Sequence, residues 1–392
     1  MINLKRLSKN ETLVMACVWF AAIVALLSDS LNAFALYGAL PIAFIATYSS
    51  YRKLQVNKYF NMLMVLYIWI AFSVIWATDT DVALRQMKQI LGSTILCYIF
   101  AVNVRKENNT RWLYLVYFWT LIFMWYYAYH NIFDNIELGQ NRVDDEKLNA
   151  NTLAYYTFYF TFASYKLGEV DNSCCFKKIM RGVFLSTIPL SFYTAILTAS
   201  RQVLIIQLPL IIILLYIRYI KGKNVSRKML LVFAIGVSSL IVAPSILNTY
   251  NNSYLSTRNE SDIEDDERTK LAKDAFQVGL EHFPFGVGPG NYLVHSYNKH
   301  FSHNTYLELW ANEGIIGLFI YLSMLIAFFK RQWKRYKKYR DDIFLSFLMF
   351  GIFFAIDGLF YSFYENLWLI GFFILVASHS EMYYKEKIKS LK

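Results

Sequence analysis

Apolar runs long enough to cross a bilayer recur along this chain from end to end, and no other feature narrows its fold as much. A helix needs about 20 largely apolar residues to span the hydrocarbon layer. Twelve such stretches can be marked, at 12–28, 31–49, 60–77, 84–102, 112–130, 151–168, 182–199, 202–220, 229–247, 306–329, 343–361 and 366–382. Composition agrees, since 56% of the 392 residues are hydrophobic and only 17% are charged, where a soluble chain carries about a quarter. The sequence therefore predicts an all-α polytopic membrane protein of about twelve transmembrane helices, with residues 1–392 forming a single integral membrane domain.

The net charge of +11 is not a nucleic-acid footprint, because the basic residues fall in short clusters between apolar runs. Such clusters are topology signals that mark the cytoplasmic side. With both termini cytoplasmic, 29 of the 39 Lys and Arg lie on that side, and KRQWKRYKKYR at 330–340 is the strongest single signal. The basic start, MINLKRLSKN, leads into two apolar stretches without a small-x-small cleavage site, so no signal peptide is expected. Cys17 and Cys97 lie in apolar spans and Cys174-Cys175 in a Lys-rich loop. That spacing suits neither a disulfide framework nor a metal site.

Two outer loops stand out, a smaller one at 131–150 and a long one at 248–305 between spans nine and ten. In the long loop, acidic residues precede Arg268, as suits a helix N-terminus. Leu271, Ala275, Phe276, Gly279 and Leu280 then recur at helical spacing, which predicts an amphipathic helix on the membrane surface. The following FPFGVGPGN, 283–291, reads as a turn.

Polar residues gather at the outer end of span ten, where HFSHNTYLELWANEGIIGLF, 300–319, carries His303, Asn304, Glu308 and Glu313. Arg201 lies in the short outer turn TASRQ, Arg268 opens the loop helix, and Arg142 sits in the smaller loop. Taken singly, each arginine reads as an interfacial anchor or surface residue, and the glutamates as partners of loop backbone or of a wet cavity. Taken together, they suit one chemistry. Arginine offers a planar fork of donors to phosphate oxygens and keeps its charge, and histidine can take a proton from a hydroxyl. A lipid-linked diphosphate sugar held by arginines could thus be attacked by an acceptor hydroxyl that the histidine deprotonates, with cationic side chains stabilising the leaving diphosphate. Asp79-Thr80-Asp81 matches the DxD of nucleotide-sugar enzymes but falls on the outer side, and GVGPG, 286–290, lacks the Lys-Ser/Thr of a phosphate loop. No metal site is expected.

SHNTYLELWANEGIIGLFIYL resembles the signature of the O-antigen ligase and polymerase superfamily of bacterial membrane glycosyltransferases, with His303, Asn304, Glu313, Gly314 and Gly317 in the motif positions. LTASRQVLI is similar to the family's Ser/Thr-Arg step and puts Arg201 in it. DDERTKLAKDAF followed by HFPFGVGPGNY resembles the family's loop and assigns Arg268. LNANTLAYY, 148–156, looks like the element after the smaller loop, with Ala150 replacing a proline. The resemblance implies inverting, metal-independent and cofactor-free transfer from an undecaprenyl-diphosphate-linked glycan at the periplasmic face of the inner membrane. Arg201 and Arg268 would engage the diphosphate, His303 would activate the acceptor, and Asn304, Glu313 and Arg142 would support them. Family members differ in acceptor: another lipid-linked repeat for polymerases, lipid A–core for ligases, proteins for some relatives. A chain-length regulator is a further partner of that setting. The aromatic content of 18%, whose ring faces suit sugars, favours the polymerase. A transporter or flippase for the same lipid would need functional charges at mid-membrane depth, whereas here nearly all charges lie at span ends, with Asp357 the chief exception. A transferase using polyprenyl monophosphate would carry an acidic pair in the first outer loop, where SDS at 28–30 offers Asp29 alone.

Overall fold

The computed structural model describes residues 7–24, 33–51, 56–131, 150–170, 174–200, 203–222, 224, 248, 251, 267–297 and 299–391. Every regular element among them is helical: α1 (Lys9–Val24), α2 (Leu40–Tyr51), α3 (Lys58–Ser73), α4 (Thr80–Asn103), α5 (Glu107–Asn131), α6 (Ala150–Val170), α7 (Cys174–Thr198), α8 (Leu208–Leu215), α9 (Glu267–Glu281), α10 (Tyr292–His295), α11 (Thr305–Tyr339), α12 (Asp342–Asp357) and α13 (Leu367–Leu391). A helix underlies each apolar stretch marked in the sequence except 229–247, which lies outside the described residues. Four of them, Lys58–Trp76, Cys175–Thr198, Thr305–Tyr339 and Leu367–Leu391, are long and apolar enough to cross a membrane.

Side-chain caps set several helix starts. Asn57 accepts from the Tyr59 and Phe60 amides, Asp79 from those of Asp81 and Val82, and Asp341 from that of Ile343, each satisfying donors that a first turn leaves unpaired. Asp79 is therefore a cap in this fold. Asp357, the acid that departs from the span ends in sequence, closes α12 and is buried.

The chain divides into two compact units, one of residues 1–3 with 114–262 and one of 4–113 with 263–392. In the first, small side chains at Ala154, Ala195, Ala199 and Val203 form a buried cluster, which lets helix backbones approach closely. Gln207 donates to Thr161 at 3.1 Å and to Ser191 at 2.8 Å, an interhelical polar tie of the kind apolar surroundings favour. Arg218 lies 3.8 Å over the Tyr165 ring and donates to its carbonyl at 2.7 Å.

The second unit is built around α13, whose Leu369–Ala377 stretch is buried throughout. Phe354 stacks on Phe373 with centroids 5.0 Å apart, and Asn57 donates to Ser378 at 2.6 Å, joining the start of α3 to α13. Glu11 accepts from Lys106 at 2.8 Å and from Asn109 at 3.0 Å, pinning α1 to the region where α5 begins. Helix α11 packs against α3, α9 and α12, and its first turns carry the residues of interest.

Candidate functional site

Asn304 begins the site. Its side chain accepts from the Tyr306 and Leu307 amides at 3.0 and 3.1 Å, so the motif asparagine is the N-cap of α11. One residue earlier, His303 adopts a left-handed backbone with φ +53°. Few non-glycine residues accept that region, though histidine is among those enriched there. It persists only where neighbours hold it, and both neighbours are held. Ser302 gives its amide (2.9 Å) and hydroxyl (2.5 Å) to Glu308, and Asn304 is fixed by its cap. The half-buried His303 thus sits at a bend secured on either side.

The next turn is anchored from another direction. Thr305 donates its amide to the carbonyls of Gly358 (2.8 Å) and Tyr361 (3.1 Å), and its hydroxyl accepts from the Phe363 amide at 2.9 Å. Tyr306 donates to the Ala355 carbonyl at 2.5 Å. The loop between α12 and α13 therefore grips the first residues of α11.

At Gly314 the helix breaks, with φ +65° and ψ −167°. Carbonyls freed at the break are taken up by the glycine-rich turn: Val287 donates to Ala311 at 2.9 Å and Gly288 to Asn312 at 2.8 Å, while Ile315 donates to Pro284 at 3.1 Å. The approach is close enough to require glycine on both sides. A Cβ on Gly314 would collide with the Pro284 carbonyl oxygen, and one on Gly286, itself at φ +75°, would lie 2.5 Å from the Asn312 carbonyl oxygen. The GVGPG segment is thus a docking turn. Asn291 ties its far end to the start of α4, accepting from the Asp79 amide at 2.5 Å and donating to the Asp79 carbonyl at 3.1 Å. His295 meets Thr78 at 3.0 Å. Burial, with neighbouring His282, holds its imidazole below the ordinary value.

Polar side chains of α11 are fully enclosed beneath this surface. Glu313 accepts from Ser73 at 2.7 Å, and its carbonyl accepts from Trp69 at 3.0 Å. Asn312 accepts from the Tyr292 amide at 2.6 Å and donates to the Tyr364 hydroxyl at 3.3 Å. Glu308, Asn312 and Glu313 are each 0% exposed, so their hydrogen bonds offset desolvation that would otherwise cost several kcal/mol. Glu365, beside Tyr364, is buried as well, and burial pushes its carboxyl above the usual range. Gln at position 313 can still accept from Ser73. Glu313→Gln is therefore expected to cost at most about 1 kcal/mol, and Glu313→Leu, which removes one acceptor of the Ser73 hydroxyl and leaves it the Ile70 carbonyl at 2.8 Å, about 1–2 kcal/mol. Thermal unfolding of the two purified variants checks this.

Arg268 is half-buried in the first turn of α9. A cation there opposes the helix dipole, so the dipole does not favour its charge at that end. The predicted apolar stripe of α9 divides. Leu271, Ala275 and Val278 are buried, the last two in a cluster with Val287, Tyr292 and Ala311, and Trp310 packs over Gly279 and donates to the Phe276 carbonyl at 3.0 Å. Phe276 and Leu280 of the stripe are exposed, as are Phe283 and Phe285 just after the helix.

His303, Asn304, Glu313 and Arg268 thus belong to one packed unit. Arg201 and Arg142 lie outside the described residues. Sequence reasoning does not reach Asn291, Asn312 and Glu365, although a polar or ionisable side chain inside apolar surroundings is costly enough to be a signal by itself. Among the described residues no group of three His, Cys, Asp or Glu is arranged to hold a metal ion.

Residues 187–322, which include Arg201, Arg268 and the whole His303–Gly317 motif, match the model of a family described as O-Antigen ligase. The chain is also 23% identical over 322 residues to the teichuronic acid biosynthesis protein TuaE of Bacillus subtilis (strain 168), a match covering 75% of this chain. It spans 64% of that relative's length. Both findings support the O-antigen ligase and polymerase superfamily recognised in the motifs.

Proposed function

We propose that this chain is a polysaccharide polymerase of the bacterial inner membrane, joining one undecaprenyl-diphosphate-linked glycan to the acceptor hydroxyl of another at the periplasmic face. His303 accepts the proton of the acceptor hydroxyl as its oxygen attacks the anomeric carbon. The bond from that carbon to the diphosphate oxygen breaks with inversion, and the diphosphate departs with the bonding pair. Arg201 and Arg268 stabilise the charge that builds on it. Neither metal nor cofactor enters the step.

The observation that carries this reading is the secured bend at His303, within the family-matched residues. A general base needs a fixed position more than it needs burial, and here Glu308, Ser302 and Asn304 supply the fixing. The name of the relative, a teichuronic acid biosynthesis protein, is in keeping with a role in building a surface polymer. A ligase passing finished glycan to lipid A–core is the second reading, favoured by the description of the matching family.

Deletion followed by gel analysis of surface glycan separates the two. A single repeat on lipid A–core marks a lost polymerase, lipid-linked polymer with bare core marks a lost ligase, and unaltered glycan counts against both. For the arginines, Arg201→Lys and Arg268→Lys are each expected to lower turnover at least tenfold, because a point charge does not replace bidentate phosphate contact. Full activity in both lysine variants would reduce their role to bulk charge.

A further inference from the structure

At the opposite end of α11 the apolar run stops at Phe329 and the helix continues as Lys330–Tyr339. From the break at Gly314 the helix runs on as Ile315–Tyr339, about 37 Å at 1.5 Å per residue, against a hydrocarbon layer of about 30 Å. Its basic end therefore stands at headgroup level or beyond. Arg331, Lys334, Arg335 and Lys338 recur there at a spacing that puts them on one face. With Tyr339 and with Tyr384 of α13 they line a cavity of about 320 Å³.

Negative charge is scarce around this cavity. Glu381 accepts from Arg331 at 2.9 Å and from Arg335 at 2.6 Å, so one carboxylate serves two guanidinium groups. Neither Lys334 nor Lys338 has a carboxylate within ion-pair distance among the described residues. Four cations thus face the cavity against a single anion. Arg335 is held in place, 4% exposed, with its guanidinium 4.0 Å from the Tyr384 ring centroid and a further bond to the Ser380 carbonyl at 3.3 Å. A cytoplasmic topology signal asks only that basic residues lie on one side of the membrane. Lys337, over the Trp333 ring, meets that need without facing the cavity. A buried, fixed guanidinium beside two lysines without a carboxylate partner and two aromatic rings, all lining one cavity, goes further than topology requires.

We propose that this cavity is a binding site for a phosphate group, a monoester or diester, with Lys334 and Lys338 as its charge contacts and Arg335 as its fixed donor. Arginine forks and lysine point charges are the groups that recognise phosphate oxygens, and the position at the end of a membrane-crossing helix is where phospholipid headgroups lie. The site is independent of the glycan chemistry at His303.

The test uses the purified full chain in detergent, titrated with fluorescent phosphatidylglycerol, with phosphatidylcholine as the uncharged-headgroup probe and inorganic phosphate as competitor. Phosphatidylglycerol is expected to bind in preference to phosphatidylcholine. Lys334→Gln combined with Lys338→Gln should weaken it roughly fivefold for each charge removed, whereas Lys337→Gln, on the same helix, should change it less than twofold. All three lysines are exposed, so their loss leaves the packing intact. Competition by inorganic phosphate would identify a soluble phosphate compound as a ligand, and failure to compete would identify the lipid headgroup. Absent or equal binding of the two lipids, or a Lys337→Gln effect as large as that of the paired variant, would overturn the site. None of these outcomes bears on glycan transfer.

Discussion

Replacing His303 by alanine is expected to lower glycan transfer by roughly 10²–10⁴-fold, the usual contribution of a positioned general base. The protein should still fold, because the turn's anchors lie on its neighbours: Glu308 holds Ser302, and Asn304 caps α11. Alanine does carry one backbone penalty, since φ at this position is +53° and a left-handed residue other than glycine costs about 1–2 kcal/mol. His303→Asn removes that ambiguity. Asparagine tolerates the left-handed region yet cannot act as a base near neutral pH. Both variants should therefore lose turnover alike, with the asparagine variant keeping the wild-type unfolding temperature. The measurement is turnover of a lipid-linked donor by purified protein, paired with a thermal melt of each variant. Near-normal turnover in His303→Asn would remove the base from the mechanism.

Gly314→Ala should have the largest effect on folding of any single methyl added to the second unit. The position has φ +65°, and the new Cβ would meet the Pro284 carbonyl. Relief requires the glycine-rich turn to retreat, which breaks the bonds from Ile315 to Pro284, Val287 to Ala311 and Gly288 to Asn312. Three hydrogen bonds at about 1 kcal/mol each, added to about 1–2 kcal/mol for the left-handed backbone, give a loss on the order of 4–5 kcal/mol. That is a large share of the 5–15 kcal/mol by which domains are ordinarily stable. Gly286→Ala should behave similarly for the same steric reason. Gly182, in the middle of α7 with nothing within 4 Å of a built Cβ, supplies the control. Alanine there should be neutral or stabilising by up to about 1 kcal/mol. Yield of monodisperse protein and its melting temperature read the difference, and a Gly314→Ala protein as stable as Gly182→Ala would mean that the turn does not hold the break.

What could be read from the residues divides by range. Helix positions followed from apolar run length, because in hydrocarbon the backbone must satisfy itself locally; the start of α11 at Thr305 against a marked span of 306–329 is typical. Asn304 as a cap was likewise a local matter of one side chain and two amides. The break at Gly314 was not legible. Its motif, a glycine three residues ahead of Gly317, reads equally well as a helix face that packs closely, and only the carbonyls of Ala311 and Asn312 reaching the 284–288 turn distinguish the two. The fate of the α9 stripe had the same limit. An apolar face declares that it will be covered but not by what, and here the 287–292 region and Ala311 cover much of what a membrane surface was expected to cover. Asp79 illustrates the converse, since its side of the membrane set aside a metal-binding reading of its pairing with Asp81, while its use as a helix cap follows from the local chain.

The break in α11 also bears on how the protein meets bilayers of different thickness. A continuous helix of this length would answer hydrophobic mismatch by tilting as one rod, and its first turns would swing with it. Here the rod begins only at Ile315. Residues 305–313 are clamped separately, by the 358–363 loop on one side and the 287–288 turn on the other. The first amide of the rod, that of Ile315, is bonded to Pro284 of the same turn, so the segment that carries His303 is positioned by protein contacts and not only by the slab around it.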